Sequence, residues 1–311
     1  MIIGIILFIM SYHRERNYLM ARDDYGNKLK KEGRRIKTLD GLNIVSPYIM
    51  KTRVTSQNCF ESCFELSACE ELIRKKRAEG LKGFGMLHII IAAYVRTLSQ
   101  LPGLNRFVRG QRIYARDGVE IIMAIKKELT LNAQETMAKM IFEPDATVDD
   151  VYNALMREIE RNKQSGDQSG FDNTAKIFSK IPGLVLKFAV WVLNLLDYFG
   201  LLPRRLTYIS PFHGSMVITA LGSLGIPPIY HHLYDFGNGP MFMAYGAKRK
   251  EYVLQKDGSV IQQKFIDYKV CADERICDGH YMAAGFKAFG SYLKNPAQLE
   301  LPPEKVVKDI D

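Results

Sequence analysis

The sequence predicts an α+β protein, an α/β two-layer sandwich, on three observations. Short runs of alternating apolar residues recur along the chain, and they are interleaved with helical patterns of 12 or more residues. One of those helices, residues 86–101, is apolar almost all round, and a helix without a polar face must be buried. A polar heptad, Asp273-Glu274-Arg275-Ile276-Cys277-Asp278-Gly279, sits where a strand at 265–270 gives way to a helix marked by Met282, Phe286, Phe289 and Leu293. A polar heptad therefore marks the turn from strand to helix.

Taken in order, residues 1–40 read as an extension of an apolar run and a basic linker, residues 41–300 as the globular domain, and 301–311 as a tail. Residues 58–66 suit a strand with one buried face, and Ser67 with Glu70 opens a helix that stops at Gly80. The helix at 86–101 ends against Pro102. Strand-like runs follow at 105–114, 119–126 and 136–142, and Thr147 with Asp150 caps a helix whose Val148, Val151, Leu155 and Ile159 form one stripe. Residues 163–170, rich in Gly, Ser and Gln, read as a flexible linker dividing the chain into similar halves. The run at 184–202 is the most hydrophobic, but Asn194 and Asp197 would cost several kcal/mol in lipid, so a buried or interfacial helix is expected. Strands at 215–221 and 241–248 precede a hairpin turning at Asp257-Gly258.

A chain of 311 residues with 47% hydrophobic and 25% charged residues is long and apolar enough for a large core, which excludes general disorder. The formal charge of +9 favours an acidic partner; Lys28, Lys30, Lys31, Arg34, Arg35 and Lys37 concentrate part of it, and a solvated basic arm is the plainer reading. No phosphate-cradling Gly motif and no interleaved basic and aromatic pattern argues for nucleic acid. Cys59, Cys63, Cys69, Cys271 and Cys277 form no CxxC pair and read as reduced thiols of a cytoplasmic chain. The six histidines do not fall at ligand spacing relative to them, so no metal is expected. Residues 1–10 are apolar but short of the roughly 20 needed to span a bilayer. They read as a short membrane anchor, a buried strand or an upstream start with Met20 as the true one, and peripheral membrane contact through them is one expectation.

The heptad resembles the active-site motif of the acyltransferase components of 2-oxo acid dehydrogenase complexes and of chloramphenicol acetyltransferase. In that family the position of Glu274 is a histidine, the general base, and an Asp or Asn stands where this chain has Asp278. Residues 89–107, with Leu101-Pro102-Gly103-Leu104-Asn105, are similar to the family's central helix and following turn. Residues 119–126, the stretch Ser215-Met-Val-Ile-Thr-Ala-Leu-Gly-Ser-Leu-Gly225 and residues 242–246 resemble its successive strands. The resemblance spans about 44–299 and implies a chloramphenicol acetyltransferase-like fold, a mixed sheet with helices on one side. The helix at 184–202 is longer than the family carries there. The lipoyl and subunit-binding domains of such complexes have no counterpart in this chain, so action outside them is expected.

What the resemblance implies is acyl transfer between coenzyme A, or acyl-CoA, and a thiol or hydroxyl, at a trimer interface. By position Thr219 is the oxyanion donor, worth roughly 3 kcal/mol, or else a β-branched strand residue. Asp278 orients the base loop and pairs with Arg53 or Arg275, or else caps the last helix. Glu274 is a weakened base or else a structural or ligand-orienting carboxylate: a carboxylate near 4.3 starts about two units below a histidine near 6.5, a further cost of roughly 2.7 kcal/mol. His280, His213, His231 and His232 are the alternative bases. Two function classes follow: a homotrimeric coenzyme-A-dependent acyltransferase altered by loss of the histidine, or a non-catalytic trimeric binding or assembly protein on the same fold.

Overall fold

A computed structural model describes residues 22–23, 26, 28–126, 135–164 and 180–311. The strands in chain order are β1 (Gly33–Arg35), β2 (Gln57–Glu65), β3 (Arg106–Arg109), β4 (Arg112–Arg116), β5 (Val119–Lys126), β6 (Glu135–Phe142), β7 (Met216–Ala220), β8 (Met241–Leu254) and β9 (Val260–Asp273). The helices are α1 (Gly41–Ile49), α2 (Ser67–Ala78), α3 (Met86–Gln100), α4 (Val148–Gln164), α5 (Gly183–Tyr198), α6 (Arg204–Ile209) and α7 (Gly279–Lys294). Six strands form one sheet in the order β2-β9-β8-β7-β5-β6; β7 runs parallel to both neighbours and the remaining pairs are antiparallel. β1, β4 and β3 form a small antiparallel sheet beside it. The predicted mixed-sheet α+β architecture holds.

Strand alternation gives the large sheet two unlike faces. Ile121, Met216, Ile218, Met243 and Val270 point one way, into a core shared with Ile89, Ile91 and Val95 of α3, Val151 of α4 and Phe289 of α7. α3 lies at the centre, with every residue but Leu87 and Gln100 buried. Each such aliphatic side chain contributes roughly 1.5–3 kcal/mol by leaving water. The opposite face carries a smaller apolar cluster of Ile122, Val217, Phe242 and Cys271, with Met137 packed against it and Leu233 covering it from the segment between β7 and β8. That face is where polar residues can meet a ligand.

Most predicted elements fall where the periodicity put them, including the reciprocal cap in which Thr147 N donates to Asp150 Oδ2 at 2.8 Å and Asp150 N to Thr147 Oγ1 at 3.3 Å. The single strand expected at 105–114 is instead the β3–β4 hairpin. Gly110 and Gln111 both have positive φ, 55° and 56°, which makes a two-residue turn whose twist matches the strands. A Cβ on Gly110 would run into the carbonyl of Tyr198, so the residue serves both turn and packing. Residues 165–170 of the predicted linker lie outside the described residues.

One expectation narrows and one changes. Of the two readings of α5, buried or interfacial, the buried one is removed: Leu184 is 85% exposed and Trp191 57%, and of its residues only Asp197 is buried. Its apolar composition reflects a face left open, not a place in this core. The localisation expected from the cysteines and from residues 1–10, cytoplasmic with membrane contact, is not upheld either. Among the described residues no helix is long and apolar enough to cross a membrane, and residues 1–10 themselves lie outside them.

Candidate active site

The heptad forms the turn from β9 into α7, and its hub is Asp273, which is fully buried. Oδ1 accepts from Arg275 Nε at 2.8 Å and from its backbone N at 3.1 Å, Oδ2 accepts from Arg275 Nη2 at 2.7 Å, and Arg53 Nε lies 3.9 Å away. Buried carboxylate oxygens need this degree of hydrogen bonding to offset their lost hydration. The arginines expected beside Asp278 therefore meet Asp273. Asp278 Oδ1 instead accepts from Tyr281 N at 2.9 Å and caps α7, exposed to solvent.

Glu274 is half-buried. Its backbone N donates to Ser56 O at 2.9 Å, and its Oε2 accepts from Asn58 Nδ2 at 2.7 Å, so it is held against the start of β2. Arg106 reaches the same turn from below: Nη1 lies 3.4 Å from Ile276 O, while Nε and Nη2 grip Asp309 at 2.7 and 2.6 Å. One guanidinium thus holds both the turn and the tail. Arg53 is a second clamp. Its Nη1 donates to the carbonyls of Tyr234 and Asp235 at 2.8 and 3.1 Å and its Nη2 to Gly237 O, which fixes the loop between β7 and β8 against Asp273.

That loop brings His231 to Thr219. Thr219 Oγ1 and His231 Nε2 are 3.2 Å apart, and the imidazole stacks on Phe242 with ring centroids at 4.2 Å and an interplanar angle of 11°. Both residues are half-buried on the face opposite α3, α4 and α7. Burial, assisted by the neighbouring His232, lowers the pKa of His231 and holds it neutral. A neutral imidazole with a hydroxyl at hydrogen-bond distance is a base beside a donor. His232 is exposed, its ring edge-on to Tyr234, and His280 is exposed at the start of α7.

His213 is elsewhere. It is 1% exposed, with Nδ1 2.8 Å from Ser210 Oγ and Nε2 3.1 Å from Asp197 Oδ2. Asp197 also accepts from Arg109 Nε at 3.1 Å, and Arg109 and Arg116 both pair with Glu32, whose Oε1 accepts from Asn238 Nδ2 at 2.7 Å. Burial alone would raise both carboxyl pKa values; Arg109 and Arg116 at Glu32, and His213 and Arg109 at Asp197, outweigh it and hold them low. This network joins the small sheet, α5 and the 237–239 segment. It is scaffold.

Thr219 and Glu274 do not meet within one chain. The register runs from Thr219 to Ala244 to Lys269, and Glu274 lies two strands across and five residues further along, about 19 Å away by strand geometry. Periodicity had no means of bringing His231 to Thr219, because the loop that carries it has no repeat. The signal the sequence offered was the family resemblance, which implies that the segment of His231 and His232 lies near a subunit interface. Among the described residues no group of three or more His, Cys, Asp or Glu could hold a metal ion.

The six-stranded sheet with α2, α3, α4 and α7 packed on one face is a two-layer sandwich, with the heptad at the β9–α7 turn. Residues 213–301 match the family model described as the catalytic domain of 2-oxoacid dehydrogenases acyltransferase, which confirms the resemblance read from the sequence. The fold is similar to that of a probable dihydrolipoamide acetyltransferase from Listeria monocytogenes 4b F2365, with TM-score 0.52 and 12% identity over 85% of this chain and 94% of that one. It is also similar to the cubic core of the pyruvate dehydrogenase multienzyme complex, with TM-score 0.53 and 12% identity over 91% and 99%. At these identities the likeness is one of fold. No curated protein sequence matches the chain.

Proposed function

We propose that the protein transfers an acyl group between the thioester of coenzyme A and a thiol or hydroxyl acceptor, with His231 and Thr219 at the centre of the reaction. The observation that carries this is the 3.2 Å approach of Thr219 Oγ1 to His231 Nε2 on the open face, inside the segment that matches the acyltransferase model. His231 Nε2 takes the proton of the acceptor thiol as its sulfur attacks the thioester carbonyl. The Thr219 hydroxyl rotates from the imidazole to donate to the tetrahedral oxyanion. The carbon–sulfur bond to coenzyme A then breaks, and the imidazolium returns its proton to the departing thiolate. Imidazolium and thiolate attract, which a protonated glutamate could not offer.

Glu274, about 19 Å from Thr219 in its own chain, is brought to the site by a second copy in a homotrimer and orients substrate there, with Asp278 fixing the α7 end of its loop. The open apolar face of α5, including Leu184 and Trp191, supports association of copies. A competing reading keeps Glu274 as the base.

Release of free coenzyme A thiol from acetyl and longer acyl thioesters, with a panel of thiol and alcohol acceptors, tests these roles. His231→Gln is expected to lose about 10²–10⁴-fold in kcat, with Glu274→Gln losing less than about tenfold. The opposite ranking assigns the base to Glu274. No turnover by the wild-type protein on any pair overturns the enzymatic reading and leaves the binding or assembly protein.

A further inference from the structure

Five cysteines lie in the described residues, and two of them face each other. Cys59 on the edge strand β2 and Cys271 on β9 are direct register partners on the open face, with Sγ atoms 2.9 Å apart. Directly opposed residues of an antiparallel pair have Cα atoms about 4.5–5.5 Å apart, inside the roughly 4.4–6.8 Å range that a disulfide spans. Cys59 is exposed, whereas Cys271 is 1% exposed and receives the backbone N–H of His231. We infer that Cys59 and Cys271 form a dithiol site that closes to a cross-strand disulfide by exchange with a small-molecule disulfide such as oxidised glutathione.

The chemistry follows the exposure of the two thiols. The Cys59 thiolate attacks one sulfur of oxidised glutathione; the Cys59–glutathione bond forms as the glutathione disulfide breaks, and one glutathione thiolate leaves. Cys271, already in contact, then attacks Cys59 Sγ and displaces the second glutathione. Two protein thiols are oxidised, one glutathione disulfide is reduced to two thiols, and the two released protons go to the glutathione thiolates. Burial pushes the Cys271 thiol up to about 12, which slows its ionisation and leaves proximity as its advantage.

The other cysteines supply internal controls. Cys63 is exposed on the same strand, but its register partner is Asp267, so its adduct has no thiol to resolve it. Cys69 and Cys277 are buried, with thiols pushed up to about 12. They have no route to the reagent in the folded chain.

The test uses the full chain equilibrated in glutathione redox buffers, quenched in acid, alkylated and mapped by peptide mass. The expected result is a peptide linking Cys59 to Cys271, two hydrogens lighter than the dithiol, with Cys63 carrying glutathione and Cys59 at least tenfold poorer in that adduct than Cys63. Cys271→Ser is expected to bring the Cys59 adduct up to the level of Cys63, and Cys59→Ser to leave Cys271 unmodified while the chain is folded. Equal adducts on Cys59 and Cys63 in the wild-type protein, with no linked peptide, would overturn the site and leave a thiol–thiol contact. Because mass is read and not turnover, this result is independent of acyl transfer.

Discussion

The two faces of the six-stranded sheet are made by the same strands and have opposite tasks. On the helical face Ile121, Ile218, Met243 and Val270 are sealed under α3, α4 and α7. On the open face the intervening positions hold Thr219, Phe242 and Cys271 beneath a loop. One-residue alternation thus places core and candidate chemistry in a single strand such as Met216–Ala220, and a slip by one would exchange them. The close-packed face thereby fixes the strands that carry the site. Its own face is held by few apolar contacts and by the clamps of Arg53.

That contrast can be broken most severely from outside both faces. Arg109→Gln leaves Glu32 and Asp197 buried without their shared cation, and a cost of about 3–5 kcal/mol is expected in denaturant unfolding. In the wild-type protein the same carboxylates set an acid limit. Their depressed pKa values contribute stability that is fully present above the ordinary carboxylate range and lost as pH falls through the folded values. Thermal stability is therefore expected to hold from neutrality to about pH 4.5 and to fall below about pH 4. A midpoint independent of pH down to 3 would show that the network is not charged.

Ile91→Ala, at a fully buried position of α3, is expected to cost about 2–5 kcal/mol while leaving kcat per folded molecule within a factor of about three. Loss of kcat without loss of stability would show that the two faces are coupled. Asp278→Ala should cost only about 1 kcal/mol, the worth of an N-cap, measured by the same unfolding curves. A loss above about 3 kcal/mol would mean that Asp278 has partners besides the cap.

Elements with a strong pattern were legible: α3 from its nearly all-round apolar surface, α4 from its stripe and cap, and the end of β9 from alternation at 265–270. The β3–β4 hairpin was not, because Gln111 gives no sign of the positive φ it adopts. The heptad located the right turn, but residue type alone could not decide between Asp273 and Asp278 as the partner of the arginines. Burial decides it, since the fully buried carboxylate is the one that requires them. α5 misled in the other direction: apolar composition measures what must be covered and is silent on whether the same chain covers it. The meeting of His231 with Thr219, and of Cys59 with Cys271, depends on loop path and register, which no local pattern encodes.

Arg106 grips Asp309 with two nitrogens and reaches the Ile276 carbonyl with a third. Anything that pulls on the final residues, such as an affinity tag fused there or a protease trimming them, is therefore transmitted to the loop bearing Glu274. A handle placed at the carboxyl end would be a lever on the motif, and purified material for assay is better tethered elsewhere.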